Sequence, residues 1–323
     1  MFRRRLGVGT APHALQTAAF PPARGRAATR PDTMAQRRRC PPLAALQLLL
    51  LATAHATRQR PVAALQAWLG ELPAFQLGPI ELRASLCGDG LGAYLTRAVE
   101  AQEVLFVVPA PAFVSISTAL SHKSVGDALA QLWERCDDGG AAVLAGYVAH
   151  MLLNGRPGPY LGVLPRTADE QDHVLWWSEE ELALLAGTSA FEEAAGLRSE
   201  AEVASQTLCA GALAADVAAH GEAAVRDAVR AALVSVLSRA YGVRGADGRH
   251  AKALVPMLDM LNHDVTPTVS YEFTGAAGDE AGASDALLVA RALCAQGAGE
   301  ELRVSYGQQS DMVFSLHYGC APL

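Results

Sequence analysis

Lysine is scarce in this 323-residue sequence, and basic charge is scarce outside its first sixty residues. Two of the 26 basic residues are lysines, and residues 1–60 hold eleven of the arginines with a single acid. The rest of the chain holds 15 basic and 32 acidic residues. Because nucleic-acid binding depends on neutralising phosphates, this acidic body argues against a DNA or RNA partner. It favours a basic protein or a basic segment of one.

The residue clusters of several common chemistries are also missing from the sequence. Its six cysteines are scattered, with no CxxC pair and no Cys/His cluster, so we predict neither a zinc site nor a disulfide framework. No paired carboxylates and no Ser-His-Asp arrangement stand out. No apolar run approaches the roughly 20 residues that a membrane-spanning helix needs.

Residues 1–60 have the composition of a targeting leader that is mostly disordered. Arg37–Arg39 precede the short apolar run Leu43–Leu51, and small residues ending at Ala56 follow at the spacing of a cleavable secretory signal. The Arg-rich segment as a whole is also typical of an organelle transit peptide. We therefore expect entry into a plastid or the secretory pathway, with the chloroplast favoured. Met34 is an alternative start to Met1.

The apolar pattern divides the rest of the chain into a short helical lead-in, strands, a long helical region and further strands. We place these at residues 61–77, 78–118, 119–240 and 241–323. Alternation in "IELRASL" and the short run "EVLFVVP" predict strands, whereas apolar residues at i, i+3 and i+4 in "EAAVRDAVRAALVSVLSRAYG" predict a helix. Ser178 and Glu181 form a capping box that predicts a helix start. The later segments "ALVPMLDML", "TVSYEF", "ALLVARAL" and "ELRVSYG" are interpreted as strands.

Three motifs lie at the ends of these predicted strands. They are "GDGLGA" (residues 88–93), "LDMLNHD" (258–264) and "GEELRVSYG" (299–307), the last followed by "SLHYG" (315–319). Glycines allow a backbone to approach a ligand closely. An isolated Asn-His pair is equally consistent with a capped strand end that holds a hydrogen-bonded buried histidine.

Taken together, the ordered motifs resemble a SET-domain methyltransferase. The resemblance covers about residues 78–320 and is closest to the plant-type branch that includes the Rubisco large-subunit lysine methyltransferase and the actin-histidine methyltransferase. The segments "PYLGVLPRTADEQDHVLWWSEEELALLAGT" and "LSRAYG" are similar to parts of that branch's helical insert. The resemblance implies an α+β fold of short sheets, with a C-terminal pseudoknot and a long helical insert within the SET domain.

The family uses S-adenosylmethionine, which the resemblance implies as the cofactor here. Its methionine part would contact the backbone of the Gly-rich turn, its carboxylate would pair with an arginine, and its amine and adenine would be held by the Asn-His pair. The matching residues are Asp89, Gly90, Leu91, Arg239, Asn262 and His263. For Arg239 the alternative is a solvated arginine at a helix end, where the helix dipole favours it.

Three tyrosines match the family's catalytic and substrate-channel positions. Tyr306 and Tyr318 match the catalytic ones, and Tyr271 matches one in the substrate channel, although a core-packing role for Tyr271 is equally consistent with its strand pattern. The implied activity is methyl transfer from S-adenosylmethionine to a protein lysine. The alternatives are a protein-histidine methyltransferase, a non-catalytic SET module that binds cofactor or a partner peptide, and a helical scaffold.

The sequence departs from the branch at its C-terminal end. The plant-type enzymes continue into a helical lobe that helps to bind the protein substrate, whereas this sequence stops at Leu323, five residues after Tyr318. We therefore expect either a truncated gene model or a minimal form with different substrate handling. The motifs do not name the substrate or the degree of methylation, and a monomer is favoured without a sequence signal for the oligomeric state.

Overall fold

The structure, a computed structural model, describes six stretches of the chain. They are residues 61–85, 90–136, 139–155, 158–245, 247–274 and 286–319. The predicted leader, residues 1–60, lies outside the described residues, and so does Asp89, the first predicted cofactor contact. Both therefore stay predictions.

The described strands form three small sheets. Their orders are β1-β4-β10-β9, β2-β3-β11-β8 and β5-β7-β6. Each sheet joins strands that precede the helical region to strands that follow it, so the two strand regions belong to one fold. The strands are β1 (Gln76–Leu77), β2 (Ile80–Ala84), β3 (Leu91–Leu95), β4 (Val104–Pro109), β5 (Val114–Ser115), β6 (Tyr241–Arg244), β7 (His250–Leu254), β8 (Asn262–His263), β9 (Val269–Thr274), β10 (Leu287–Ala292) and β11 (Glu301–Val304).

Helices occupy most of the chain between β5 and β6, as the apolar periodicity predicts. A first helix, α1, covers residues 61–70. The others are α2 (Ile116–Leu120), α3 (Gly126–Trp133), α4 (Ala141–Leu153), α5 (Gly158–Leu161), α6 (Glu179–Ala183), α7 (Ser189–Ala210), α8 (Ala214–His220), α9 (Glu222–Arg239) and α10 (Asp311–Val313). The predicted capping box is confirmed, because Ser178 accepts a hydrogen bond from the Glu181 amide while the Glu181 side chain accepts one from the Ser178 amide.

Helix α4 lies at the centre of the helical region. It carries almost no polar side chains, and every residue from Val143 to Ala149 is buried. Gly146 allows the close packing of α4 on α7, since a Cβ there would lie 2.6 Å from a methyl group of Leu208. A helix that is apolar all round belongs in a core. The helical region thus forms one hydrophobic cluster with the sheets.

The strand predicted over "ALVPMLDML" (residues 253–261) is wrong beyond its first two residues. Strand β7 ends at Leu254, Met257 has a φ of 70°, and Leu258–Met260 forms a 3₁₀ turn. The five apolar residues Leu254, Val255, Met257, Leu258 and Leu261 are all 0% exposed. A turn buried on every side shows the same continuous apolar run as a buried strand, so apolar pattern alone does not separate them.

Strand β11 brings the later motifs together. It lies between β3, with which it pairs antiparallel, and β8, with which it pairs parallel. In this register Arg303 is opposite Asn262, and Val304 is opposite His263. The predicted pseudoknot requires the final strand to run beside the Asn-His segment, and the parallel pairing places it there.

Candidate functional site

Asn262 connects three segments that are distant in the sequence. Its Nδ2 lies 3.2 Å from the carbonyl oxygen of Leu91, 3.1 Å from the hydroxyl of Ser85 and 2.7 Å from a carboxylate oxygen of Glu301. Strand β8 therefore holds this amide against both sides of the Gly-rich turn and against β11. The predicted meeting of the first two motifs is present in the structure.

Glu301 is the centre of this polar contact. Its carboxylate accepts hydrogen bonds from Asn262, from the Ser85 hydroxyl at 3.1 Å and from Arg303 at 2.7 Å. Its side chain is 6% exposed and that of Arg303 is 13% exposed. Gly92 has to remain without a side chain, because a Cβ there would collide with the Glu301 carboxylate.

Neither Glu301 nor Ser85 was predicted from the sequence. Leu302 and Val304 of β11 lie in the core. Because successive side chains of a strand point to opposite faces, this pattern predicts that Glu301 points towards solvent. Its burial arises from the neighbouring strands β3 and β8, which come from distant parts of the chain. No local signal could have shown this partner of Asn262.

His263 and Tyr306 contact each other through backbone and side chain. The amide of Tyr306 donates to His263 Nδ1 at 3.1 Å, and the Tyr306 hydroxyl donates to the carbonyl oxygen of Leu261 at 2.8 Å. The His263 ring stacks on Phe314 with centroids 4.3 Å apart. Burial lowers the pKa of His263, so the ring is neutral at pH 7 and carries its proton on Nε2. That Nε2 is buried and has no hydrogen-bond partner among the described residues.

Three further tyrosines gather next to this pair. Tyr306 stacks on Tyr318 with ring centroids 4.9 Å apart, and Tyr241 meets Tyr271 edge to face at 5.4 Å. The Tyr241 hydroxyl donates to the carbonyl oxygen of Leu258 at 3.2 Å. Burial raises the pKa of Tyr271 and holds that of Tyr241 well above its usual value. The phenols of Tyr241 and Tyr271 therefore remain protonated, although Tyr271 is 38% exposed to solvent. Tyr241 was not predicted as a site residue, although it lies in the "LSRAYG" motif.

Arg239 ends α9 and points its guanidinium towards the second motif. Its Nη1 donates to the carbonyl oxygen of Asp259 at 3.1 Å, and its Nη2 contacts the side-chain oxygen of Gln171 at 3.4 Å. The amide of Gln171 in turn donates to the carbonyl oxygen of Tyr318 at 3.2 Å. Nε of Arg239 is buried without a hydrogen-bond partner in the described part of the chain.

The carboxylate of Asp259 is fully buried next to Arg239. It accepts a hydrogen bond from the Tyr160 hydroxyl at 2.9 Å. Burial raises the pKa of Asp259 to about 6, against the opposite pull of Arg239 and of the Tyr160 hydroxyl. The acid is therefore close to half-protonated near pH 6. Tyr160 comes from α5, so this contact ties the helical region to the Asn-His segment.

Most of the predicted site residues thus lie in one region. The carbonyl of Gly90 accepts from the Ser85 amide at 3.0 Å, which places the Gly-rich turn beside the Asn262 network. Arg239 contacts Asp259 and Gln171 in this region and makes no hydrogen bond to Asn262. Within the described ranges there is no group of three or more His, Cys, Asp or Glu residues that could hold a metal ion. No described helix is both long and apolar enough to cross a bilayer.

Comparison with solved structures identifies the fold. The SET domain of LSMT bound to lysine and AdoHcy superimposes with a TM-score of 0.63 at 19% sequence identity. Rubisco LSMT bound to sinefungin and monomethyllysine gives 0.60 at 19%, and Rubisco LSMT bound to AdoMet gives 0.59 at 18%. Each match covers 81% of this chain and 56% of the solved chain. No protein-family model and no curated protein sequence matches. The chain therefore has the fold of a SET domain, which confirms the predicted α+β class, and it spans 56% of the length of these solved chains.

Proposed function

We propose that this protein is an S-adenosylmethionine-dependent protein-lysine N-methyltransferase of the plant-type SET branch. The observation that carries the proposal is the meeting of Asn262, His263 and Tyr306 at the parallel β8–β11 pair, with the Gly-rich turn bonded to Asn262. The helices between β5 and β6 lie where that branch carries its insert. The neighbours of known structure include complexes with AdoMet and with monomethyllysine.

Two buried nitrogens at the site fit the cofactor. Nε of Arg239 and Nε2 of His263 are N–H donors without partners among the described residues, and buried donors of this kind are normally hydrogen-bonded. A guanidinium suits the carboxylate of the cofactor. Arg239 would hold that carboxylate, while Asn262 and His263 would hold the amine and the adenine as the resemblance implies.

The surrounding residues would prepare the substrate amine. S-adenosylmethionine supplies an electrophilic methyl group on a positively charged sulfur when bound. A lysine entering between the tyrosines would displace water, and this desolvation would lower the pKa of its amine towards the neutral, nucleophilic form. Tyr306 is oriented by the Leu261 carbonyl and would place its phenol oxygen against the developing charge. Alignment and water exclusion then carry most of the rate enhancement.

The proposal is tested by binding and transfer measured on the same protein. The full chain is titrated with S-adenosylmethionine by calorimetry and incubated with labelled cofactor and a basic protein mixture. We expect saturable binding and label on lysine, identified by mass spectrometry. Label on histidine would favour the histidine alternative, and binding without transfer would favour a non-catalytic module.

The Tyr306→Phe variant tests the assigned role. Because the phenol acts at the reacting atoms, we expect kcat to fall by at least tenfold, while the affinity for S-adenosylmethionine stays within a factor of about three. Tyr147→Phe is the matched control, since Tyr147 is a buried phenol on α4 far along the chain from the motifs. Equal transfer rates in the two variants would contradict the proposed role of Tyr306.

We also propose that residues 1–60 direct the protein to the chloroplast. The support is the Arg-rich composition with a single acid. Fusing residues 1–60 to a fluorescent protein and following its location in an algal cell tests this. We expect fluorescence in the plastid and a fusion protein shortened by cleavage of the leader. Retention of the fusion in the secretory pathway would contradict the chloroplast proposal.

A further inference from the structure

A cavity of about 270 Å³ lies in the helical region, away from the candidate site. It opens between α7 and α9 beside the segment that precedes α6. None of its nine lining residues belongs to the cofactor or tyrosine positions described above. They are Leu175, Arg198, Ala201, Glu202, Ser205, Arg226, Val229, Arg230 and Leu233. Because about 10–15 Å³ of such volume already holds one water, the cavity is large enough for a small molecule.

The charge of this cavity contrasts with the rest of the acidic body. Three arginines line it against one acid, Glu202. Arg226 bonds Glu222 at 2.8 Å and Glu202 at 2.7 Å, which fixes its guanidinium at the wall. Arg198 donates to the carbonyl oxygen of Trp177 at 3.0 Å and pairs with Glu179. Both guanidinium groups are thus oriented by the protein before any ligand arrives.

Arg230 is the guanidinium that is left for a ligand. It lies over the ring of Trp176, 5.6 Å from the centroid. In the described part of the chain it has no hydrogen bond or ion pair with a carboxylate, in contrast to Arg198 and Arg226. An arginine is always charged and presents five donors that match a phosphate.

Ser205 provides a second, independent observation. It lines the cavity and is 6% exposed. Its buried hydroxyl makes no hydrogen bond to a nitrogen or oxygen atom in the described part of the chain, and it lies beside the Cys209 thiol, a weak acceptor whose pKa it lowers. A bound oxygen acceptor would be a stronger partner than this thiol. The aliphatic side chains of Leu175, Val229 and Leu233 form the remaining wall, which suits a short carbon chain attached to the anion.

We propose that this arginine cavity binds a phosphate group, either inorganic phosphate or a small phosphate monoester. Arg230 would be the main ligand and Ser205 would donate its hydroxyl, while Arg226 and Arg198, whose charges are balanced by Glu202, Glu222 and Glu179, would form the polar part of the wall. The site is independent of the proposed methyl transfer, because its test measures binding and not activity.

The test is calorimetric titration of the full chain at constant ionic strength with two probes, inorganic phosphate and glycerol 1-phosphate. We expect saturable one-to-one binding for at least one probe. Tighter binding of glycerol 1-phosphate would indicate that the apolar wall contacts its carbon chain. Equal binding of the two probes would indicate that the site recognises the phosphate group alone. The absence of saturable heat with both probes would overturn the proposal.

Three variants locate the binding. Arg230→Gln should weaken it by about tenfold or more, because it removes charge-assisted hydrogen bonds, and Ser205→Ala should weaken it by a smaller factor. Arg135→Gln is the control, since Arg135 is an exposed arginine outside the cavity. Arg230 is exposed, so its variant should melt at the same temperature as the parent without phosphate. An equal loss of binding in Arg230→Gln and Arg135→Gln, or no loss in Arg230→Gln, would overturn the site.

Discussion

Glu301 shows how one buried acid can organise a site through its neighbours. Its carboxylate holds Asn262, Ser85 and Arg303 together. None of these contacts is local in the chain except that to Arg303. Glu301 is therefore a positioning residue for the Asn-His pair in the proposed enzyme, acting through Asn262 and the Gly-rich turn.

Replacing this acid should damage both stability and cofactor binding. Glu301→Ala leaves the Arg303 cation without its carboxylate in a mostly buried place, so we expect a loss of about 3 kcal/mol in the free energy of unfolding. The affinity for S-adenosylmethionine should fall as well, because the amide of Asn262 loses the nearest of its three partners. Urea denaturation and calorimetry measure the two effects. Glu300→Ala, the exposed neighbour, is the control, and a similar loss in both variants would contradict the positioning role.

Asp259 should make stability depend on pH in an unusual direction. Burial raises its pKa in the folded protein from 3.8 to about 6. A raised pKa stabilises the fold at pH values below about 4, and this contribution is lost as the pH rises to about 6. At 1.36 kcal/mol for each unit of pKa, the loss is about 3 kcal/mol.

Asp259→Asn removes this pH dependence while retaining an acceptor for Tyr160. Relative to the parent, the variant should gain roughly 3 kcal/mol between about pH 4 and pH 7. Urea denaturation across that range measures the difference, with Asp227→Asn on the exposed face of α9 as the control. Parallel stability curves for parent and Asp259→Asn would contradict the buried-acid interpretation.

At the scale of elements, one polar contact fastens α8 to the central helix α4. Asp216 on α8 is 4% exposed, lies 2.7 Å from Nδ1 of His150 and accepts from Asn154 at 2.9 Å. Asp216→Ala would leave the His150 ring, whose side chain is 12% exposed, and the exposed amide of Asn154, just after α4, without their acceptor. We expect a loss of about 1 to 2 kcal/mol in the free energy of unfolding. Asp227→Ala, the exposed control, should lower the free energy of unfolding by less than about 0.5 kcal/mol. Thermal denaturation measures both variants, and equal losses in the two would contradict a stabilising role for Asp216.

The elements differ in how far the sequence predicted them. Periodicity and the Ser178–Glu181 capping box are local signals, so the helices of the insert followed from the pattern. The sequence predicts a strand at the turn Leu258–Met260, because a turn that is buried on all sides shows no alternation of apolar and polar residues. The motifs placed Asn262 and Tyr306 in one region. Glu301, Tyr241 and Gln171 could not be predicted to join them, since their contacts are made only when distant segments meet.

At the scale of the whole molecule, the acidic body should attract a basic substrate. Fifteen basic and 32 acidic residues follow the predicted leader, and such a field increases association with positive partners and is screened by salt. For a lysine-rich peptide we expect kcat/KM to fall several-fold between about 0.05 and 0.3 M NaCl. A peptide with the same target lysine between acidic residues should have a low kcat/KM, and this kcat/KM should change little with the salt concentration. Salt-independent rates with the basic peptide would contradict electrostatic attraction.

The position of β11 also has a consequence for how the protein is made. Residues of β3 pair with residues of β11 that lie about two hundred positions later in the chain. Until that last strand has been synthesised, β3 and β8 both present open edges, and open edges invite pairing with other chains. Contacts this distant in sequence also form slowly. The nascent protein is therefore exposed to aggregation until β11 has been synthesised, and its yield in a cell should depend on chaperones that shield these edges over that interval.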